Sequence, residues 1–271
     1  MRLGTRGSAL ALAQAQPIAD KLGAQLVVIR TSGDSGVGGP TDKQRWVDTI
    51  EQALLDDEID VAVHSAKDVP GQLAEGLKLI AATARADPRD ALVGAGSIDE
   101  LRPGARVGTS SPRRRAQLLA VRDDLDVFEL TGNVDTRLQK LARGEADAIV
   151  LAAAGLIRLG RHQEIGAMLD PTRFVPAPGQ GSLALEARAE SQWKDLGGSE
   201  TFAALEIERE IARLLGADCH SAVGIHCDGP TTRAWVGKAD GSAWIQDELE
   251  SRDAREIARR MLSAGARAFL A

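Results

Sequence analysis

The residues best suited to chemistry come in clusters, and each cluster follows a short apolar run. His64-Ser65-Ala66-Lys67-Asp68 leaves the run Val61 to Val63. A carboxyl beside an ammonium suits general acid–base work or the organisation of an ion pair. A solvated Asx turn at Asp68 is the plainer alternative. The second cluster is Gly108-Thr109-Ser110-Ser111-Pro112-Arg113-Arg114-Arg115. Pro112 suits a first helical turn, and the exposed amides of a helix N-terminus attract anions. Three hydroxyls and several guanidiniums add donors there, although an N-cap before a solvated basic face would use the same residues. Asn133, Thr136 and Arg137 repeat the theme, as do Arg6 and Ser8. Several anion grips on one sheet edge suggest a ligand bearing many carboxylates or phosphates.

A third cluster, Cys219-His220 with His226-Cys227, sets four potential metal ligands within nine residues, so zinc has to be weighed. On one extended strand, at roughly 3.3 Å per residue, the two cysteines would stand about 26 Å apart. One ion could not reach both without a tight reversal, and only Gly224 offers one. No metal is expected. Cys219, in a loop after Gly216-Ala217-Asp218, is better placed to react than Cys227, which reads as a small buried hydrophobe.

The elements that must position these groups alternate along the chain. Strands are expected at 26–29, 59–63, 77–81, 106–108, 127–130 and 148–151, with helices over 46–55, 114–121 and 134–141. That alternation argues for parallel α/β units, whose ligands sit at the C-terminal ends of the strands. Pro176-Ala177-Pro178-Gly179-Gln180-Gly181 reads as a hinge or crossover. Beyond it come a helix over 200–215, strands near 222–225, 234–238 and 243–249, and a last helix to 268. Asp253 caps that helix, with Glu256 as its capping-box partner.

Composition narrows the function. With 271 residues, 44% hydrophobic and 27% charged, the chain has ample material for a core. No apolar run reaches the roughly 18 residues of a membrane span, and the first residues do not read as a signal peptide. Two cysteines suit a reducing compartment. Tyrosine is absent and the net charge is −6, which disfavours nucleic acid as a partner. Of the 33 basic residues, 26 are arginine, a bias that codon composition or carboxylate recognition would each explain. Walker, Rossmann, His-Glu-x-x-His and Cys-x-x-Cys signatures are missing.

Seven segments in order carry a resemblance: Gly4 to Leu12, His64 to Pro70, Asp87 to Asp90, Gly108 to Arg114, Gly132 to Leu138, Ala154 to Gly160 and Pro176 to Gly181. Together they resemble the porphobilinogen deaminase (hydroxymethylbilane synthase) family over essentially the whole chain. The resemblance implies an α/β fold of two periplasmic-binding-protein-like domains plus a smaller C-terminal α+β domain. Their expected bounds are 1–86 with 178–195, 87–177, and 196–271. It also implies a dipyrromethane cofactor joined by a thioether to Cys219. Four porphobilinogen molecules would be condensed head to tail with release of ammonia, and hydroxymethylbilane then hydrolysed off, a step of tetrapyrrole and heme biosynthesis.

Asp68 would be the catalytic carboxyl. Arg6, Ser8, Lys43, Ser65, Lys67, Thr109, Ser110, Ser111, Arg113, Arg114, Asn133, Arg137, Arg158 and Gln180 would bind cofactor and substrate. The expected protein is a cytoplasmic monomer with no membrane or nucleic-acid partner. A non-catalytic two-lobed polycarboxylate-binding protein is the alternative, as is an impaired paralogue. Three places depart from the family pattern. Asp42-Lys43-Gln44-Arg45-Trp46 replaces a glycine-lysine-glycine-leucine-phenylalanine run. Thr131 replaces an arginine, which leaves open an altered affinity, a compensating arginine such as Arg115 or Arg45, or a specialised paralogue. Ala217 and Asp218 replace two glycines before the cofactor cysteine, placing a negative charge near an anionic group.

Overall fold

A computed structural model describes residues 1–31, 44, 47–193 and 199–270. In chain order the elements are β1 (Arg2–Arg6), α1 (Ala9–Leu22), β2 (Gln25–Ile29), α2 (Asp48–Leu55), β3 (Val61–Ser65), β4 (Leu77–Ala82) and β5 (Asp90–Val93). Then come β6 (Arg106–Gly108), α3 (Pro112–Val121), β7 (Asp126–Phe128), α4 (Val134–Ala142), β8 (Ala148–Ala152), α5 (Ala153–Arg158) and β9 (Ala167–Met168). The chain finishes with β10 (Leu183–Arg188), α6 (Ser199–Leu215), β11 (Ala222–Asp228), β12 (Thr231–Gly237), β13 (Trp244–Leu249) and α7 (Ala254–Ser263).

Two five-stranded sheets have orders β2-β1-β3-β10-β4 and β7-β6-β8-β5-β9. In each, three parallel strands are followed by one antiparallel strand, β10 or β5, and a fifth strand antiparallel to it. The two sheets thus repeat one topology. Each is an α/β lobe with apolar clusters on both faces, as parallel strands require. Leu3, Val61 and Leu185 lie on one face of the first sheet, and Ile50, Leu54 and Ala62 on the other. The second sheet buries Leu92, Val107 and Val150 on one face and Ala91, Ile149 and Leu151 on the other. The chain passes between lobes twice, from β4 to β5 and from β9 to β10.

A third unit is the antiparallel sheet β11-β12-β13, covered by α6 and α7. It docks on both lobes. Leu205 of α6 packs with Ala66, Val69 and Ala184 of the first lobe, a burial contributing roughly 1.5–3 kcal/mol. Trp235 of β12 and Ala222 of β11 pack with Ala116 of α3 and with Val175.

The expected alternation is present, with differences. β3 runs on to Ser65, so His64 and Ser65 belong to the strand and only Ala66 to Asp68 form the following 3-10 turn. The last helix stops at Ser263, and a 3-10 turn over Ala266–Phe269 follows Gly265, which sits at φ +100°. Asp253 caps α7 by accepting from the amides of Arg255 and Glu256. The Glu256 carboxylate accepts from the Ser251 hydroxyl instead of closing the capping box.

Candidate functional site

Each lobe turns the C-terminal ends of its parallel strands toward one shared cavity. Three helix N-termini reach it: α1 after β1, α3 after β6 and α4 after β7. Their capping side chains are Ser8, Ser111 and Asn133, accepting from the amides of Ala11, Arg114 and Thr136. The cavity has a volume of about 1160 Å³ and extends to the loop between α6 and β11.

Most of the expected site residues meet there. Arg6, Ser8, Ser65, Lys67, Asp68, Ser110, Ser111, Arg113, Arg114, Asn133, Arg137, Arg158, Gln180 and Cys219 all line the cavity. Lys43, Arg45 and Trp46 lie outside the described residues. Thr109 is a correction. It is buried behind the wall, and its hydroxyl accepts from the Ser111 amide, so it shapes the turn rather than facing a ligand. Arg115 is another, because its guanidinium donates to the Val127 carbonyl and takes no part in the cavity.

The arginines divide into two kinds. Arg113 and Arg114 are buried and grip Asp90, itself fully buried. Arg113 donates to Asp90 Oδ2 at 2.8 Å and Arg114 to Oδ1 at 2.9 Å. Burial alone would raise the Asp90 carboxyl, but the two guanidiniums together hold it well below the usual carboxylate range. Gln180 joins this knot. Its amide donates to Asp90 Oδ1 at 2.9 Å and to the Pro88 carbonyl, and its carbonyl oxygen accepts from Arg114. Arg113 and Arg114 nonetheless line the cavity, as a role in binding requires. Much of their donor capacity is turned inward, where they brace the wall.

Arg137, Arg158 and Lys67 have no carboxylate in ion-pair reach among the described residues. Arg137 donates to the Gly132 carbonyl and the Ser110 hydroxyl, and burial, then the nearby Arg114 charge, push it down to about 10. Arg158 donates to the Gly181 carbonyl and is lowered by burial. Lys67 is pushed down to about 8, first by desolvation and then by Arg114. An anion brought beside them would relieve this desolvation by favouring their charged forms.

Asp68 faces these cations. Its carboxylate makes no hydrogen bond among the described residues, although its charge raises the proton affinity of both Lys67 and Arg137. Ser65, one turn away, exchanges hydrogen bonds with Gln14 of α1. Seven cationic side chains line the cavity against three acidic ones, Asp68, Glu129 and Asp218. A chain of net charge −6 thus encloses a basic cleft.

Cys219, a free and partly buried cysteine, lines the same cavity as Asp68. The neighbouring Asp218 carboxylate is turned into its own loop. It accepts from Ser221 Oγ at 2.7 Å and from the His220 amide at 2.9 Å, and these bonds hold it below its ordinary range. Cys227 is buried beside Thr232, and burial with the Glu208 charge pushes its thiol up to about 11. His226 is buried against Glu208. Sequence reasoning missed Arg209 of α6, which lines the cavity and donates to the carbonyls of Val69, Pro70 and Gly71. Its regular helical setting gave no sign of partners 138–140 residues away.

Comparison with known proteins gives a consistent picture. Residues 1–195 match the family described as porphobilinogen deaminase, dipyromethane cofactor binding domain. The chain is 44% identical to a porphobilinogen deaminase of Thermus thermophilus, covering 99% of this chain and 97% of that one. It is 43% identical to that of Deinococcus radiodurans, covering 97% and 96%. It is 39% identical to that of Trichlorobacter lovleyi, covering 100% and 95%. Among solved structures, a putative methionine-binding lipoprotein from Bacillus subtilis aligns with a TM-score of 0.44 at 12% identity, over 74% of this chain and 91% of that one.

Proposed function

Since the chain belongs to the porphobilinogen deaminase family, we propose that Asp68 is its proton-handling carboxyl and Cys219 its point of cofactor attachment. The protein is an enzyme of tetrapyrrole biosynthesis that condenses porphobilinogen on a dipyrromethane cofactor. When bound, the dipyrromethane supplies the pyrrole end to which substrate is joined. The donor set suits such a group: an accessible thiol at one end and a run of partly desolvated cations along the walls match a chain of pyrroles bearing acetates and propionates.

The observation that carries the assignment of Asp68 is its carboxyl, turned into a cationic cavity with no hydrogen-bond partner among the described residues. A carboxyl so placed can give a proton to the departing amine of porphobilinogen. As carboxylate it then stabilises the cation left on the substrate, and it takes up the proton released when the attacking ring regains aromaticity. Lys67, Arg137 and Arg158 hold the ring carboxylates, and the amides at the N-termini of α1, α3 and α4 add donors. Arg113, Arg114 and Gln180 present a wall kept rigid by Asp90.

We further propose three domains, 1–86 with 178–195, 87–177 and 196–271, a division supported by each sheet falling wholly inside one of them. A cytoplasmic monomer is supported by a cavity built from one chain and by a thiol that must stay reduced to be loaded. Among the described residues no helix is long and apolar enough to cross a membrane. The test combines ammonia release from porphobilinogen with intact-protein mass. The parent should carry a dipyrromethane adduct and release ammonia, and Cys219→Ala should lose the adduct. An unmodified parent that binds porphobilinogen and releases no ammonia would sink the reading.

A further inference from the structure

Two consecutive charged residues of α6 reach different parts of the molecule. Glu208, fully buried, accepts from the Gly179 amide at 2.7 Å, from Arg85 at 2.9 Å and from the Cys227 amide at 2.8 Å. It fixes the helix against the crossover and against the third sheet. Arg209 points to the first lobe. It donates to the Val69 carbonyl at 3.3 Å, to Pro70 at 2.7 Å and to Gly71 at 3.3 Å. These carbonyls directly follow Asp68 and close the 3-10 turn that carries it.

The choice of side chain is informative. Arg209 has no carboxylate in ion-pair reach among the described residues, and burial lowers its proton affinity, with Glu186 only partly offsetting that. A guanidinium is held here chiefly for carbonyl acceptors. Its planar fork reaches them from two terminal nitrogens in a fixed geometry, Nη1 to Val69 and Nη2 to Pro70 and Gly71, whereas an ammonium would have to serve all three from a single nitrogen on a flexible stem. The same helix ends at Leu215, four residues before Cys219. One rigid element therefore spans from the loop of the carboxyl to the loop of the thiol.

We infer that Arg209 is a positioning residue for the condensation, acting through the carbonyls of 69–71 to fix the Asp68 carboxyl relative to the group tethered at Cys219. The inference rests on the assignments of Asp68 and Cys219 above. Misplacing a reacting group by about 1 Å costs on the order of 100-fold in rate. Arg209→Ala should lower kcat by about that factor and Arg209→Lys by roughly tenfold. KM should stay within about threefold, because substrate carboxylates are held elsewhere. Intact mass should show both variants loaded with cofactor to the parent's level. Added guanidinium ion should restore part of the kcat of Arg209→Ala. Arg213→Ala, which removes only a surface pair with Glu210, should match the parent.

A kcat within twofold of the parent in both Arg209 variants would overturn the inference. So would a loss of turnover that tracks a loss of loaded cofactor or a lowered Tm, since that describes a folding contact. Ammonia release by the parent tests the underlying reading separately, so failure of the one is distinguishable from failure of the other.

Discussion

The two lobes share one strand order, yet the cluster after β3 in the first and the cluster after β6 in the second offer the cavity opposite things. From the first lobe come Asp68 without a hydrogen-bond partner and Lys67 without an ion pair among the described residues, on a single 3-10 turn. From the second come Arg113 and Arg114, both paired with Asp90, and Arg114 also with Gln180 of the crossover. The cluster after β3 keeps its reactive groups available at a cost in solvation, and the cluster after β6 converts charge into rigidity, while Arg137 and Arg158 of the second lobe stay without an ion pair among the described residues. Polar residues at strand ends are therefore not equivalent. What separates reactive from bracing groups is whether a buried counter-charge stands behind them.

The sharpest way to break this contrast is to disable the open cluster. Asp68→Asn keeps the shape and removes the transferable proton. Turnover in the ammonia-release assay should fall by about 10²–10⁴, with the adduct on Cys219 and the Tm nearly unchanged. A variant that retains turnover would make the two clusters alike.

The braced cluster predicts the reverse pattern. Asp90→Asn leaves two buried guanidiniums facing a neutral amide. Breaking such a pair costs about 3–5 kcal/mol, to be read from chemical denaturation. Because the folded Asp90 carboxyl lies below its ordinary 3.8, its stabilisation is fully present above that pH and is lost as the pH falls through the lowered value. Parent and variant should therefore differ most near neutrality and converge in strong acid. A gap independent of pH would remove the ion pair as its cause.

These two carboxylates also mark how far the sequence can be read. The clusters at Ser65–Asp68 and Ser110–Arg114 were legible because short apolar runs end in polar residues at the edge where α/β sheets bind ligands. Asp90 and Glu208 were not legible, since their partners come from distant segments: Arg113 and Arg114 more than twenty residues on, Gly179 and Arg85 earlier in the chain. Adjacent crossover residues join the two, Gly179 to Glu208 and Gln180 to Asp90. Gly179 sits at φ +75°, where a Cβ would meet Ala66 and Leu205 at 2.9 Å, so the turn signal in Pro-Ala-Pro-Gly-Gln-Gly was real. Its hydrogen-bonding role was hidden. Helix α1 and strands β5 and β10 also escaped notice. β10 is buried on both faces yet carries Glu186, held by His64 across the sheet at 2.8 Å, a pairing no local pattern announces. Arg115, one candidate to compensate for Thr131, turns its side chain into its own lobe, where it donates to the Val127 carbonyl.

Lys67 offers a finer test of the open cluster. In the apoprotein its amine, lowered to about 8 by desolvation, should react with a dilute acylating reagent as a group of that pKa. Loading the cofactor brings carboxylates beside it, favouring the charged form and raising the pKa. Acylation of Lys67 near neutral pH, followed by peptide mass, should drop by about tenfold or more on loading, one pKa unit being a factor of ten. Between pH 8 and 10.5 the apoprotein should also gain stability with pH, because the unfolded chain still holds a proton that the folded one has released. Equal labelling of apo and loaded protein would place the pyrrole carboxylates away from this residue.

The smallest expected effect asks whether a cap is also a ligand. Asn133 Oδ1 accepts from both the amide and the hydroxyl of Thr136 at 2.9 Å, opening α4 at the cavity rim. As a cap alone, Asn133→Ala should cost about 1 kcal/mol of stability and leave KM unchanged. Asn133→Asp should keep the cap, since its carboxylate accepts the same bonds and suits a helix N-terminus, while placing a negative charge where substrate carboxylates are to lie. If Asn133 serves only as a cap, both variants turn over substrate as the parent does. If the rim also binds, Asn133→Asp alone raises KM, because repulsion at an anion site needs no loss of fold to be felt. The pair of variants thus separates the two uses of one side chain by charge rather than by stability.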